Sequence, residues 1–273
     1  MKISIVTISY NQAEFLSTAI QSIAGQSYDD LEYIVIDGGS TDGSVEVIQE
    51  YRDVIDYWVS EPDGGPPDGL NKGLNIATGE VFGFINADDF LLPGALDRVA
   101  EAFLKYEHAD VVYGHGYLVD GSGERLRRIY STTWNLRRYL YGTTNILQQA
   151  TFAKTKSVRG VGGFNEENRR CWDGELWVDL SLSGVNWQRI NEFLGAFRIH
   201  GESITGSEPT MSHSGESIYD RERKGLQERG LEEGRLTLTG RLAAHISQWV
   251  EDPLVNAKAK LEGLKSRLPF GLP

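Results

Sequence analysis

The stretch "VFGFINADDFLLPG" runs apolar into Asn86, Ala87, Asp88 and Asp89 before the chain turns apolar again. Adjacent carboxylates at the carboxyl end of a buried-looking strand stand where open α/β sheets place their ligands. Carboxylates there either hold a ligand or cap the helix that begins near Pro93. Other polar segments interrupt apolar ones in the same manner: "SYNQ" from Ser9, "DGGSTDGS" from Asp37, "EPDGGPPDG" around Asp63, "CWDGELW" around Asp173, and "FLGAFRIHGES" around His200. The glycines of "DGGSTDGS" look like a phosphate loop but match neither the dinucleotide fingerprint nor the Walker pattern. Lys+Arg 27 against Asp+Glu 39 leaves a formal charge of −12. That balance opposes a broad nucleic-acid footprint, so no nucleic-acid partner is expected, and any anionic ligand needs a local cation.

The elements that must position these residues follow from periodicity. "ISIVTI" and "LEYIVID" are β-branched, nearly continuous apolar runs, as in strands covered on both faces. Between them Phe15, Leu16, Ala19, Ile20 and Ile23 recur at helical spacing and stop at Gly25. The alternation continues with "GSVEVIQEY" as helix, "VIDYWVS" as strand, "GLNKGLNIA" as helix, "VFGFI" as strand, "GALDRVAEAFLKY" as helix and "DVVYG" as strand. A βαβ series of this kind predicts an α/β fold with a Rossmann-like, mainly parallel sheet flanked by helices, and puts all four strand-to-helix loops on one rim. Beyond residue 114 the pattern changes to a hairpin about Asp120, Gly121, Ser122 and Gly123, a short helix in "WNLRRYLYG", a strand in "NILQQATFA", a helix in "DGELWVDLSLSG" with Leu176, Trp177 and Leu180 toward the core, and a strand ending at His200.

With 40% hydrophobic and 24% charged residues over 273 positions, the chain can bury a full core. It contains no apolar run long enough to span a bilayer, and "MKISIVTISYNQ" enters a strand without the pattern of a signal peptide. A cytoplasmic location follows as the expectation. The single cysteine, Cys171, has no CxxC partner and reads as a small core or near-core residue.

Taken in order, "VTISYNQAEFLSTAIQSIAGQSY", "YIVIDGGSTDGS", "NKGLNIATGEVFGFINADDFLLPGAL", "GVGGFNE", "WDGELWVDLSLSG" and "FRIHGESIT" resemble a family 2 glycosyltransferase of the GT-A fold. The resemblance covers 1–205 and implies a catalytic domain there, with a donor half to about residue 114 and an acceptor half beyond it. It further implies inverting transfer of a sugar, a hexose by preference, from a nucleotide diphosphate sugar, UDP-linked first, to a saccharide or lipid-linked saccharide in polysaccharide biosynthesis, with Mn2+ or Mg2+ as cofactor. A diphosphate leaving group develops negative charge, which a hard metal held by carboxylates neutralises without a proton transfer.

By the same resemblance Asp88 is the metal ligand, with His200 and Asp89 as further candidates, and Asn86 stands where the family's Asp-x-Asp motif has its first acid. Asp173 falls on the family's catalytic base, with Trp172 in place of the acid before it; a residue there is alternatively a helix cap. Glu175 and Asp179 read as solvated or structural. Thr7, Ser9, Tyr10 and Asp37 are implied around the nucleotide, and Gly38 occupies the position of the usual base-reading acid, which leaves Asp63 and Lys72 as the nearest contacts for base and phosphate. Trp134, Tyr139 and Tyr141 either stack on a sugar or pack internally. Because Asn86 and Trp172 each delete an acid, a non-catalytic nucleotide-sugar-binding protein of the same fold is the alternative.

Residues 206–273 read as a helical C-terminal extension, in which Leu254, Ala257, Leu261, Leu264 and Leu268 form an apolar stripe flanked by Lys258, Lys260, Lys265 and Arg267. The expectation is that this stripe packs on the catalytic domain or on a second subunit of a homodimer, the alternative being peripheral contact with the inner face of an anionic membrane.

Overall fold

The computed structural model describes residues 1–168, 171–201, 252–255, 257, 258 and 260. Strand β1 (Ile3–Ser9) is followed by helix α1 (Ala13–Ala24), β2 (Leu31–Asp37), α2 (Ser44–Glu50), β3 (Tyr57–Ser60), α3 (Pro66–Ile76), β4 (Val81–Asn86), β5 (Phe90–Leu91) and α4 (Ala95–Lys105). The second half adds β6 (Val111–Val119), β7 (Arg125–Ile129), α5 (Leu136–Leu140), β8 (Thr151–Lys154), α6 (Thr155–Gly160), α7 (Trp172–Leu182) and β9 (Trp187–Arg198). All nine strands form one sheet in the order β3-β2-β1-β4-β8-β6-β9-β5, with β7 paired to β6.

The first four strands are parallel, as their apolar character predicts. Their register aligns Ser9 with Asp37, Asp37 with Ser60, and Ile8 with Asn86, so the four polar loops do share one rim. The parallel series ends there: β8 inserts antiparallel between β4 and β6, and β6 is not the next parallel neighbour that the alternation predicts. Period-two alternation sends Ile3 and Ile5 to the α1 and α4 face, where they meet Leu16, Ile20, Ile23, Val99 and Phe103, and sends Val6 and Ile8 to the opposite face with α3 and α7. Leu176, Trp177 and Leu180 of α7 are buried, as expected.

Several boundaries move for local reasons. Helix α3 starts at Pro66, inside the segment read as loop, because proline is well suited to a helix's first turn, where its missing N–H has no intrahelical role. Gly25 ends α1 with φ −84°, so it is chosen for space rather than for left-handed backbone: a Cβ there would meet the Gln21 carbonyl at 2.9 Å. Residues 52–54 form a 3-10 turn and β3 shortens to four residues, while the expected "NILQQATFA" strand is a 3-10 turn at Gln148–Ala150 followed by β8.

Strand β9 fastens the two halves. It runs parallel to β6 and antiparallel to β5, with Phe90 opposite Ala196 and Leu91 opposite Gly195. At this crossing a Cβ on Gly195 would lie 2.2 Å from the Gln149 carbonyl oxygen, so only glycine lets the 3-10 turn approach. The register carries the end of β9 alongside Asp88.

In the tail, Asp252 is buried and accepts hydrogen bonds from Thr133 N (2.6 Å), Thr133 Oγ1 (2.9 Å) and Arg189 Nη1 (2.7 Å). These bonds set the rotation of the following helical turn, and Val255, one turn on, is buried against the domain. Two residues of the expected stripe therefore do not pack on the catalytic domain: Leu254 is 75% exposed and Ala257 is exposed too. Leu261, Leu264, Leu268, Lys265 and Arg267 lie outside the described residues. Among the described residues, no helix is long and apolar enough to cross a membrane.

Candidate active site

The rim loops of β1 to β4 and the second-half elements enclose a cleft of about 1150 Å3. Ser9, Tyr10, Asp63, Asn86 and Asp88 line it from the first half. Asp173, Trp172, Trp177 and Tyr139 line it from the second, with Cys171 among them.

Asp88 leaves the end of β4 and accepts or shares a hydrogen bond with His200 Nε2 at 3.1 Å. The 112-residue separation is closed by the β5–β9 register, reinforced by Arg198, whose Nε donates to the Asp88 carbonyl at 2.7 Å and whose Nη1 donates to the Gly121 carbonyl at 2.8 Å. Phe15 packs on the imidazole at 4.4 Å. The Asp88–His200 spacing fits a shared cation, since two ligands at about 2.1 Å and a right angle stand about 3.0 Å apart. The buried Oδ1 of Asn86 has no hydrogen-bond partner, and the residue lines the same cleft. Among the described residues no three His, Cys, Asp or Glu side chains converge into a metal-binding group. A metal here would take its other ligands from phosphate oxygens and water, as Mg2+ commonly does.

Asp89 does not reach the cleft. Its carboxylate is 1% exposed and accepts from Gln149 Nε2 (2.6 Å), Arg198 N (2.9 Å) and Asn86 Nδ2 (3.2 Å), so it braces the site from behind. Burial first, and the Asp88 charge second, push its pKa well above the usual carboxylate range.

Asp173 sits in the first turn of α7, one residue inside the helix that Cys171 precedes, and is not its cap. Its Oδ1 accepts the Gly174 N–H at 2.8 Å, and burial raises its pKa, a shift that this bond opposes. A carboxylate held at the cleft wall with raised proton affinity is suited to accept a proton. Glu175 turns away and is buried rather than solvated, accepting from Asn165 and Asn168.

Three of the residues implied at the nucleotide are committed elsewhere. Thr7 points into the α1-side core, fully buried, and its Oγ1 accepts from the Tyr33 hydroxyl at 3.0 Å, because odd positions of β1 face that side. Asp37 is fully buried and organises its own loop, accepting from Gly39 N, Ser40 N and Ser60 Oγ. Lys72 does not line the cleft; it pairs with Glu61 at 2.9 Å and lies 3.8 Å from Asp68. Asp63 is different. Its carboxylate occupies the space above Gly38, where an added Cβ would come within 3.1 Å of Oδ2, and it is held by the Gly65 N–H at 2.8 Å. A carboxylate from the next loop thus stands directly over residue 38.

Sequence reasoning missed Gln12, Arg127 and Gln148, which also line the cleft. Buried polar atoms without partners cluster here, at Ser9 Oγ, Gln12 Oε1, Asn86 Oδ1 and Gln148 Oε1, and such atoms call for a ligand or water. Arg127, on β7, is the one cationic side chain of the lining among the described residues. The hairpin was legible, but which of its arginines faces inward was not, because a register shift at Leu118/Val119 breaks the alternation. Of the aromatic candidates, Tyr139 reaches the cleft, whereas Trp134 stacks on Trp187 at 4.2 Å.

Two uncharacterized glycosyltransferases from two strains of Mycobacterium tuberculosis, MT1564 and Rv1514c, are each 32% identical over 182 residues, which is 66% of this chain and 69% of theirs. S. aureus TarS in complex with UDP-GlcNAc superposes with a TM-score of 0.67 at 17% identity, covering 99% of this chain and 77% of that one. The mannosyltransferase PcManGT from Pyrobaculum calidifontis, in complex with GDP-Man and Mn2+, gives 0.60 at 15% identity over 100% and 76%. Residues 4–160 match the model of glycosyl transferase family 2, a span that stops short of Asp173 and His200. More than half of the chain is thereby accounted for, and the protein belongs to that family: it is an enzyme, a glycosyltransferase of the GT-A fold.

Proposed function

We propose that the protein moves one sugar from a nucleotide diphosphate sugar, a UDP-sugar first, to an acceptor hydroxyl with inversion at the anomeric carbon. The observation that carries this is a single cleft lined both by Asp88, paired to His200, and by Asp173, whose burial raises its proton affinity. Ser9, Tyr10 and Asp63 hold the nucleoside, with the Asp63 carboxylate, standing over Gly38, accepting from the base. Asp88 and His200 would hold a divalent metal, Mn2+ or Mg2+, with Asn86 beside them to hydrogen-bond a donor hydroxyl. The metal, when bound, neutralises charge on the departing diphosphate. Arg127 adds a positive charge to a cleft whose other charged lining residues are acids.

On the opposite side Tyr139, Trp172 and Trp177 offer ring faces for the acceptor sugar beside Asp173. The Asp173 carboxylate takes the proton of the acceptor hydroxyl as that oxygen bonds the anomeric carbon and the carbon–phosphate oxygen bond breaks. One carboxylate suffices for this displacement, so Trp172 in place of a second acid costs no catalytic group. The acceptor is a saccharide or lipid-linked saccharide in polysaccharide synthesis, met in the cytoplasm or at the inner face of the membrane. Residues 1–205 form the catalytic unit in this scheme.

The test is turnover of UDP-glucose, UDP-galactose, UDP-GlcNAc and GDP-mannose with Mn2+ and a saccharide acceptor panel, with the product linkage assigned by NMR. The α-linked donors should give β-linked products. An α-linked product would sink the inverting scheme, and turnover unchanged by EDTA would sink the metal assignment.

A further inference from the structure

Gln148 carries a feature that the scheme above does not use. The residue is 7% exposed and lines the cleft from the 3-10 turn before β8. Its Nε2 donates to the Phe84 carbonyl at 2.6 Å, and its Oε1 is buried with no partner. A carbonyl can only accept, so the amide cannot flip, and Oε1 is fixed as an acceptor. The turn is rigid for the same kind of reason, since Gln149 Nε2 donates to Asp89 and Ala150 is fully buried. A buried acceptor left without a donor is costly, and at the wall of a cleft a ligand group or a water can satisfy it.

The donor must be an O–H or N–H, which excludes the ionised diphosphate. Position along the sheet narrows it further. The proposed nucleoside contacts lie after β3 and at the end of β1, Asp88 lies at the end of β4, and Gln148 lies beyond β4 toward β8. A nucleotide sugar laid along this line reaches Gln148 with its sugar. We infer that Gln148 is a specificity-determining residue whose fixed amide oxygen accepts a hydrogen bond from one hydroxyl of the transferred sugar. This rests on the nucleotide-sugar reading given above. Selectivity follows because a donor lacking that hydroxyl, or holding it in the other configuration, leaves Oε1 unpaired.

The experiment is calorimetric binding of UDP, UDP-glucose, UDP-galactose, UDP-GlcNAc, GDP and GDP-mannose, with Mn2+, to the wild type and to Gln148→Met. The variant should bind the preferred nucleotide sugar on the order of 10- to 100-fold more weakly while its affinity for the matching nucleoside diphosphate stays within about twofold. Equal loss for the nucleoside diphosphate would overturn the inference, because it would place the contact on ribose, base or scaffold. Unchanged affinity for the sugar nucleotide would overturn it as well. A second arm needs no variant: among monodeoxy analogues of the preferred donor, one should lose the same factor on the wild type, and no analogue doing so would overturn the assignment even if Gln148→Met unfolds. A wild type that binds none of these nucleotides sinks the donor reading itself, and this inference with it.

Discussion

Replacing Asp173 by Asn tests the division of labour in the cleft. The amide keeps an oxygen for the Gly174 N–H, so the helix start is preserved. What is lost is the second carboxylate oxygen as a proton acceptor. Loss of a positioned base costs about 10²- to 10⁴-fold in rate, or about 3–5 kcal/mol of activation free energy. Because burial raises the Asp173 pKa, kcat in the wild type should fall as pH drops through that raised value, and the acid limb should vanish in Asp173→Asn. The sign for stability is opposite to that of a salt-bridged acid. A carboxyl whose folded pKa lies above its unfolded value destabilises the fold once pH exceeds the unfolded value, so Asp173→Asn should melt higher than the wild type at neutral pH and lose that advantage in acid. Steady-state kinetics and thermal melts as a function of pH, with nucleoside diphosphate affinity measured alongside, check all of this. Unchanged kcat, or a fall in nucleotide affinity as large as the fall in kcat, would refute the base assignment.

Asp88→Asn should abolish metal-enhanced nucleotide binding, and His200→Ala should weaken it by about tenfold or more, read as the Mn2+ dependence of nucleotide affinity; normal binding in EDTA by either variant contradicts the pair's role. Asp63→Ala should reduce discrimination among nucleobases, lowering UDP affinity by about 5- to 100-fold without changing the affinity for inorganic diphosphate, and a loss for both would assign Asp63 to the loop's shape instead. Asp252→Ala should destabilise the protein by about 2–3 kcal/mol in urea unfolding, since Thr133 and Arg189 lose a buried acceptor and Arg189 is partly exposed; no change would mean that the tail is not held by that carboxylate.

What the sequence discloses about this molecule depends on range. The parallel strands β1 to β4 and the rim they share were legible because each strand's apolar run and each loop's glycines are local signals. That Asp88 and Asp173 would share one cleft was legible because their segments carry a family pattern. Thr7 and Asp37 were misjudged although their strands were read correctly: whether a strand-end side chain faces a cleft or a core turns on one step of the two-residue period and on which loop wraps it. Asp89 went astray for a comparable reason, since the amide and backbone donors that bury it come from Gln149 and Arg198, 60 and 109 residues away. The partnerless oxygen of Gln148 could not be found from sequence, because its orientation is dictated by a carbonyl 64 residues earlier.

The contact of Gly195 with the turn that carries Gln148 and Gln149 bears on how such an enzyme can be remade. At 2.2 Å from a would-be Cβ, the Gln149 carbonyl tolerates no side chain there, and displacing it would release Asp89 and shift Asp88 and His200 together. The loop at 142–146 is not under that restriction; it edges the cleft without a bond to Asp89, whereas the hairpin at 120–124 is tied to the site through the Gly121 carbonyl and Arg198. A loop grafted at 142–146 can therefore reshape the cleft edge while the Asp88–His200 pair keeps its support. Grafts that cross β9 at Gly195 should exchange both halves at once or neither.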